Sequence, residues 1–191
     1  MIGRRPVILL FAGSTRGGSC NGRLAALVAR EIALRDAEAR LLSLADYPMP
    51  LYDGDDEMAR GVPEAALKLA DQMLAADGVF IASPEYNHSL TPLLKNSIDW
   101  LSRVQGDRRR GLWTQRVFAI GAASVDAFAG IRSLMQLRLI LENALGARVL
   151  VEQVAVPHAD AAFDARGNLA GEPAAQVERL VAALIAEAAR R

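Results

Sequence analysis

A polar, glycine-rich segment directly after the first apolar run has the residue types that bind an anion. The segment, Gly13–Asn21, reads GSTRGGSCN and carries three hydroxyl side chains and one guanidinium. The first backbone N–H groups of a helix that follows it would favour negative charge, and Arg16 can add charge-assisted hydrogen bonds. The segment predicts a phosphate site; the alternative is a flexible glycine and serine turn with a surface arginine.

Two familiar nucleotide-binding motifs do not describe this segment. Its spacing matches neither GxxxxGK[ST] nor GxGxxG. The first spacing places backbone amides and a lysine against the phosphates of NTPases. The second brings a glycine-rich backbone against the pyrophosphate of nicotinamide dinucleotides. The sequence therefore disfavours a Walker-type NTPase and a standard nicotinamide site.

A second polar segment, Ser83–Pro92, follows another apolar run and reads SPEYNHSLTP. Pro84 and Pro92 stiffen the backbone near its two ends, because each ring fixes one dihedral angle. Backbone amides held in this way could face a flat polar ring. The alternative is a solvated connection that ends in a Thr-Pro helix start.

The elements that must position these segments alternate along the chain. The predicted strands are Val7–Ala12, Ala39–Leu44, Val79–Ala82, Val117–Gly121 and Val149–Val156. The predicted helices are Leu24–Leu34, Pro63–Ala76, Leu93–Arg103, Ile131–Leu145 and Pro173–Ala189. This alternation predicts a three-layer α/β fold, with a five-stranded parallel sheet in the flavodoxin-like order 2-1-3-4-5 and helices on both faces. Ligands bind beyond the carboxyl ends of such strands, where the loops after strands one, three and four meet.

The bulk properties narrow the partners and the compartment. The chain has 191 residues, a formal net charge of zero and one cysteine. We expect one domain over residues 1–191, no electrostatic drive toward nucleic acid or an anionic membrane, and no intramolecular disulfide. The apolar run Val7–Ala12 is too short for a membrane span. These properties predict a cytoplasmic protein.

The two polar segments together resemble a known family. GSTRGGSCN and SPEYNHSLTPLLKNSIDW are similar to the corresponding loops of the NADPH-dependent FMN reductase family, the flavodoxin-like group that includes bacterial chromate, quinone and azo-dye reductases. The segment SLADYPMPLYDGDD resembles that family's loop after the second strand. The similarity runs from the first strand to about Phe163-Asp164.

The resemblance implies a set of residues that hold FMN. Those implied for the phosphate are Ser14, Arg16, Ser19 and Asn21, with Cys20 contributing a backbone amide. Those implied for the isoalloxazine and the ribityl chain are Pro84, Glu85, Tyr86 and Asn87. The loop after the fourth strand would close over the other edge of the ring.

That fourth-strand loop departs from the family pattern. The family typically has a glycine-rich stretch after a serine, whereas Ser124–Gly130 reads SVDAFAG and contains only Gly130. Bulkier side chains could narrow the flavin site, change its reduction potential or weaken FMN retention. Ser124 is the contact that the resemblance still implies from this loop.

The implied activity is a hydride relay in which NADPH or NADH reduces bound FMN and a small acceptor then takes the same place. The acceptor would be a quinone, free flavin, an azo compound or a metal oxyanion, and reduced flavin could also pass to a partner enzyme. No protein nucleophile, catalytic base or metal site is expected, since the chemistry belongs to the cofactor. The alternative is a non-catalytic flavin-binding or redox-sensing module, or an electron carrier, although carriers are usually acidic.

Two further features bear on partners. The run Asp107–Arg110 is predicted as a charged turn, which is solvated or binds the NADPH phosphate, and Asp160–Gly171 is predicted as a loop. Helix Ile131–Leu145 carries apolar residues on more than one face. Because a sheet can cover only one face of a helix, a homodimer interface is expected to cover the other, and a homotetramer is a further alternative.

Overall fold

The structure, a computed structural model, describes residues 4–104 and 106–190, with only the backbone at residues 107–110. The strands in chain order are β1 (Val7–Ala12), β2 (Glu38–Leu41), β3 (Gly78–Ala82), β4 (Glu85–Tyr86), β5 (Ser89–Leu90), β6 (Val117–Ala123) and β7 (Arg148–Val156). A parallel sheet has the order β2-β1-β3-β6-β7, and β4 pairs with β5 as a separate antiparallel hairpin. The predicted order 2-1-3-4-5 is confirmed, since the hairpin only shifts the strand numbers.

The helices lie between the strands of the sheet. They are α1 (Cys20–Ala33), α2 (Gly54–Arg60), α3 (Glu64–Leu74), α4 (Pro92–Ser102), α5 (Asp107–Thr114), α6 (Ile131–Leu139), α7 (Ala159–Ala162) and α8 (Gly171–Ala188). A 3-10 turn at Leu44–Asp46 follows β2, and a π-helical turn at Ile140–Ala144 extends α6.

The alternation of side chains along β1 divides the core into two layers, because successive residues of a strand point to opposite faces. Val7, Leu9 and Phe11 pack in a cluster with buried residues of α3, α4, α5 and α6. Ile8 and Leu10 pack in a second cluster with α1 and α8. Both faces of the sheet are covered, as the predicted three-layer fold requires.

Two predicted connections are wrong. Asp107–Arg110 is the first half of α5 and not a turn; arginine is a good helix former, so the charge run does not interrupt the helix. Any role of its side chains toward a dinucleotide lies outside the described residues. The segment Asp160–Gly171 is not loop throughout, since α7 occupies its first residues and α8 begins at its end.

Two further boundaries differ near the second strand. β2 ends at Leu41, three residues before the predicted end at Leu44, because Leu44 turns into the core within the 3-10 turn. Helix α2 was not predicted. Its start is capped by Asp53, whose Oδ1 accepts from the amides of Asp55 at 2.8 Å and Asp56 at 3.3 Å.

Candidate functional site

The three loops that carry the predicted site start from one edge of the sheet. The amide of Gly13, just beyond β1, donates to the carbonyl of Ala82 in β3 at 2.9 Å. The amide of Ser83, just beyond β3, donates to the carbonyl of Gly121 in β6 at 2.7 Å. Each loop therefore leaves the sheet beside its neighbour, at the switch point where open α/β sheets bind ligands.

The start of α1 offers backbone donors to an anion. Ser19 is the N-cap, and its Oγ accepts from the amide of Gly22 at 3.4 Å. The first N–H groups of a helix have no intrahelical partner, which leaves those of Cys20 and Asn21 available. With 14 residues, α1 also has the length to place partial positive charge at this end.

Arg16 brings a full charge to the same segment. Its backbone amide donates to Ser14 Oγ at 3.3 Å, which curls the chain ahead of α1. The Arg16 side chain is exposed, and no carboxylate pairs with it among the described side chains, those of residues 4–104, 106 and 111–190. A guanidinium without a partner beside free amides is a donor set that matches a phosphate.

Asn21 has a structural task within the segment. Its side-chain amide donates to the carbonyl of Ala123 at 2.8 Å, and its Oδ1 accepts from the amide of the same residue at 3.0 Å. The residue is 3% exposed. The side chain is therefore used to fix the start of α1 on the end of β6, and what Asn21 offers a ligand is its backbone N–H.

Thr91 joins the first two loops, a link that sequence reasoning missed although Thr91 was recognised as a helix start. Its Oγ1 donates to the carbonyl of Gly13 at 2.7 Å and accepts from the amide of Leu94 at 3.2 Å. Gly13 also fits closely, because a Cβ there would lie 2.9 Å from the Cβ of Leu94 and 3.1 Å from the Cδ of Pro84. The phosphate segment and the Ser83–Pro92 loop therefore form one rigid unit.

The Ser83–Pro92 loop is a tight hairpin and not an open connection. Its turn residues, Asn87 and His88, have φ values of 49° and 65°, a conformation that asparagine and histidine adopt more readily than most residues. Tyr86, Asn87 and His88 are exposed at the tip, and Pro84 is buried at the base. Of the residues implied to contact the isoalloxazine, Pro84 is therefore buried at the base of the hairpin, whereas Tyr86 and Asn87 are exposed at its tip.

Glu85 is held by an ion pair that the sequence did not reveal. Its Oε1 accepts from Arg132 Nε at 2.6 Å, and its Oε2 accepts from the backbone amides of Arg132 at 3.1 Å and Ser133 at 3.2 Å. The Glu85 side chain is 4% exposed. A carboxylate at the start of α6 is stabilised by the helix dipole. Glu85 therefore ties the hairpin to α6 and is not free to act as a base.

The Ser124–Gly130 loop is held by its own polar groups. Asp126 Oδ1 accepts from the amide of Phe128 at 2.8 Å, and Ser124 Oγ accepts from the amide of Asp126 at 3.4 Å. Gly130 has a φ of 75°, and a Cβ there would lie 2.7 Å from that of Ala122. The one glycine of this loop therefore occupies a position where the positive φ and the close approach of Ala122 both exclude a side chain. The side chain of Phe128 extends outward beside Arg132.

Among the side chains of residues 4–104, 106 and 111–190, no group of three or more histidine, cysteine, aspartate or glutamate residues is arranged to hold a metal ion. In the same part of the chain, no helix combines the length and the apolar character that crossing a bilayer demands.

Comparisons with known proteins agree with this geometry. The sequence model described as NADPH-dependent FMN reductase matches residues 6–161. A quinone reductase of Escherichia coli (strain K12) is 39% identical over 135 residues, which cover 70% of this chain and 68% of that protein. An NAD(P)H-dependent FMN reductase of Pseudomonas aeruginosa is 34% identical over 176 residues, which cover 89% of this chain and 88% of that protein.

A solved structure supports the same grouping. The flavoenzyme NAD(P)H:(acceptor) oxidoreductase FerB of Paracoccus denitrificans superposes with a TM-score of 0.79 and 27% identity, covering 97% of this chain and 98% of that one. A parallel sheet of this order, flanked by helices on both faces, defines a flavodoxin-like protein. The chain belongs to the NADPH-dependent FMN reductase family. The predicted family, the oxidoreductase class, and FMN with NAD(P)H as cofactor and co-substrate are confirmed.

Proposed function

We propose that the Gly13–Asn21 segment holds the phosphate of FMN and that the two neighbouring loops border its ring. The observation that carries this proposal is the unpaired Arg16 beside the first amides of α1, fixed to the hairpin through Thr91. An anion at this position meets a guanidinium, the hydroxyls of Ser14 and Ser19, and two backbone N–H groups. This donor set fits a phosphate monoester.

The residues of the site bind and orient, and the cofactor supplies the redox chemistry. When bound, FMN would supply the chemistry that moves a hydride from NAD(P)H to an acceptor. Pro84 at the base of the hairpin and Ser124 in the third loop support the ring, while Tyr86 and Asn87 border its exposed side. Glu85 keeps the hairpin on α6 through its ion pair with Arg132.

A quinone is the acceptor that the comparisons favour, because the relative from Escherichia coli is named a quinone reductase. In the balanced reaction NAD(P)H and one proton convert the quinone to the hydroquinone and leave NAD(P)+. The test is to follow NADPH oxidation by FMN-loaded protein with 1,4-benzoquinone, free flavin, an azo dye and chromate as acceptors in turn. We expect turnover that is fastest with the quinone.

The alternative is a flavin-binding module or electron carrier without turnover. The zero net charge gives no overall negative field to attract basic partner proteins, which favours the enzyme. FMN-loaded protein that leaves NADPH unoxidised with all four acceptors would establish the alternative instead.

We also propose that the protein is one domain and a homodimer in the cytoplasm. Met135 is 65% exposed and Leu139 is 60% exposed, so that one face of α6 lies uncovered in a single copy. An exposed pair of large apolar residues on one helix is typical of a protein interface. The single cysteine supports a reducing compartment, since it leaves no internal disulfide to form.

A further inference from the structure

An exposed aromatic ring lies at the rim of the proposed flavin site. Phe128, in the loop after β6, is 60% exposed. Burial of a phenylalanine side chain is favourable, so leaving most of one in solvent gives up stability. Most of the ring surface is available to a ligand.

The ring is held in place and is not a loose side chain. The amide of Phe128 donates to Asp126 Oδ1 at 2.8 Å, and the carbonyl of Asp126 accepts from the amide of His158 at 3.3 Å. The next residue, Ala129, has a φ of 57°, which fixes the direction in which the loop leaves the ring. The backbone that carries Phe128 is therefore preorganised.

One face of the ring already has a partner. The Arg132 guanidinium carbon lies 4.5 Å from the centroid of the Phe128 ring, the distance of a cation–π contact. Arg132 is fixed in turn by Glu85 of the hairpin at 2.6 Å. The ring, the guanidinium and the carboxylate form a stack that joins the third loop to the second.

We propose that Phe128 is a specificity-determining residue that selects planar aromatic acceptors, and quinones above all. This inference rests on the proposed function. The open part of the ring stacks on a flat acceptor at the flavin site. Arg132 lies on the other face of the ring, paired with Glu85 and 3.8 Å from Asp126 Oδ2, and so holds the ring in place for the acceptor. A quinone that takes a hydride there becomes the hydroquinone when a proton from solvent is added. A compact inorganic anion offers no surface for stacking.

The first test compares two acceptors of different shape. Phe128→Leu keeps an apolar side chain and removes the ring, and Phe128→Tyr keeps the ring. We expect Phe128→Leu to lower kcat/KM for 1,4-naphthoquinone about two- to tenfold, the scale of an aromatic contact. Little change is expected for ferricyanide, a one-electron acceptor of which two ions are reduced for each NADPH oxidised. Phe128→Tyr should restore the wild-type ratio.

Leu34→Ala is the matched control, because Leu34 is an exposed apolar residue at the far end of α1. It should leave the ratio of the two acceptors unchanged. An unchanged ratio in Phe128→Leu would overturn the proposal. Equal losses with both acceptors, together with weaker FMN binding, would also overturn it, because the ring would then support the cofactor.

The second test does not depend on turnover. Calorimetry measures binding of 2-naphthoate, a planar aromatic anion that cannot accept hydride, to the oxidised FMN-loaded protein. The expected result is a dissociation constant about two- to tenfold higher in Phe128→Leu than in wild type and in Leu34→Ala. If NADPH is never oxidised but this difference is found, the proposed function fails and the stacking role stands. No difference overturns the stacking role.

Sedimentation separates stacking from an interface role. Wild type and Phe128→Leu should have the same mass. A lower mass for the variant would show that the ring packs between copies of the chain, and would overturn the proposal.

Discussion

At the scale of single residues, the site depends on one cation without an internal partner. Replacing Arg16 by alanine removes the only guanidinium of the Gly13–Asn21 segment. We expect FMN affinity to fall by about 1.5–3 kcal/mol, the value of a hydrogen bond to a charged group. Fluorescence titration of apoprotein with FMN measures the change.

Arg5→Ala is the control for this substitution, because Arg5 precedes β1 and pairs with Asp36 at the opposite end of that strand from the phosphate segment. It should bind FMN as wild type does. Unchanged affinity in Arg16→Ala would mean that Arg16 is not a phosphate ligand.

The hydrogen bonds of the Asn21 side chain predict an effect on the stability of the fold. Asn21→Ala leaves the N–H and C=O groups of Ala123 without their partners, at about 1–3 kcal/mol for each buried group. We expect a lower free energy of unfolding, measured by urea denaturation of the apoprotein. The exposed Asn143 supplies a matched control, since Asn143→Ala removes no such pair. Equal stability of the two variants would show that the Asn21 bonds contribute nothing.

The types of residue at the site could be predicted from sequence, but their tasks could not in every case. A helix was predicted to follow the Gly13–Asn21 segment, and Ser19 is its N-cap. Asn21 and Glu85 were assigned to the ligand, whereas their side chains bind Ala123 and Arg132. Their partners are about 100 and about 50 residues away in the chain. A local pattern holds no signal for a contact at that distance.

At the scale of elements, α2 is attached to the C-terminal end of α4 by side-chain bonds to Glu57. Glu57 Oε1 and Oε2 accept from Arg103 Nε at 2.9 and 2.8 Å, and the Tyr52 hydroxyl donates to Glu57 Oε2 at 2.9 Å. The hydrogen bond from Arg103 holds the pKa of Glu57 below its ordinary value. The hydrogen bond to Glu57 raises the pKa of Tyr52.

The lowered pKa of Glu57 predicts a dependence of stability on pH. Because the folded state favours the ionised carboxylate, its contribution is present above the ordinary glutamate pKa of about 4.3 and is lost as pH falls through the lower pKa of the folded protein. Urea denaturation of wild type and Glu57→Gln between pH 7 and acid conditions measures this. The stability difference between the two should shrink toward low pH; a constant difference would contradict the assignment.

The long strands and helices could be predicted from the periodicity of apolar residues, whereas the short elements could not. β1 has the predicted bounds, because a strand covered on both faces is a continuous apolar run between turn residues. The hairpin β4–β5 has two residues in each strand, too few for a period to be visible. Helix α6 begins at the predicted Ile131 but changes to a π-helical turn at Ile140 before Gly146, which no local residue pattern marked.

At the scale of the whole molecule, the uncovered face of α6 predicts assembly. Met135→Glu places a charge at the centre of the apolar face, and we expect the homodimer to dissociate. Analytical ultracentrifugation gives the mass. Leu34→Glu, which adds the same charge on α1, should leave the mass at its wild-type value. Wild-type protein that sediments as a monomer would refute the dimer.

The order of the sheet was predictable because strands and helices alternate and crossovers are right-handed. The same topology is enough to predict that three loops meet at one edge of the sheet. What it could not supply is the bonding between those loops, through Thr91 and Arg132, that makes them one rigid site.

The most direct test of that site compares FMN with riboflavin, which has the same ring and ribityl chain but no phosphate. Both are titrated into the apoprotein, and their dissociation constants are measured by fluorescence. We predict that FMN binds at least about 100-fold more tightly, since two hydrogen bonds to a charged group exceed that difference, and that Arg16→Ala narrows the gap. Equal affinity for FMN and riboflavin, or no binding of either, would contradict the assignment of Gly13–Asn21 as the phosphate site.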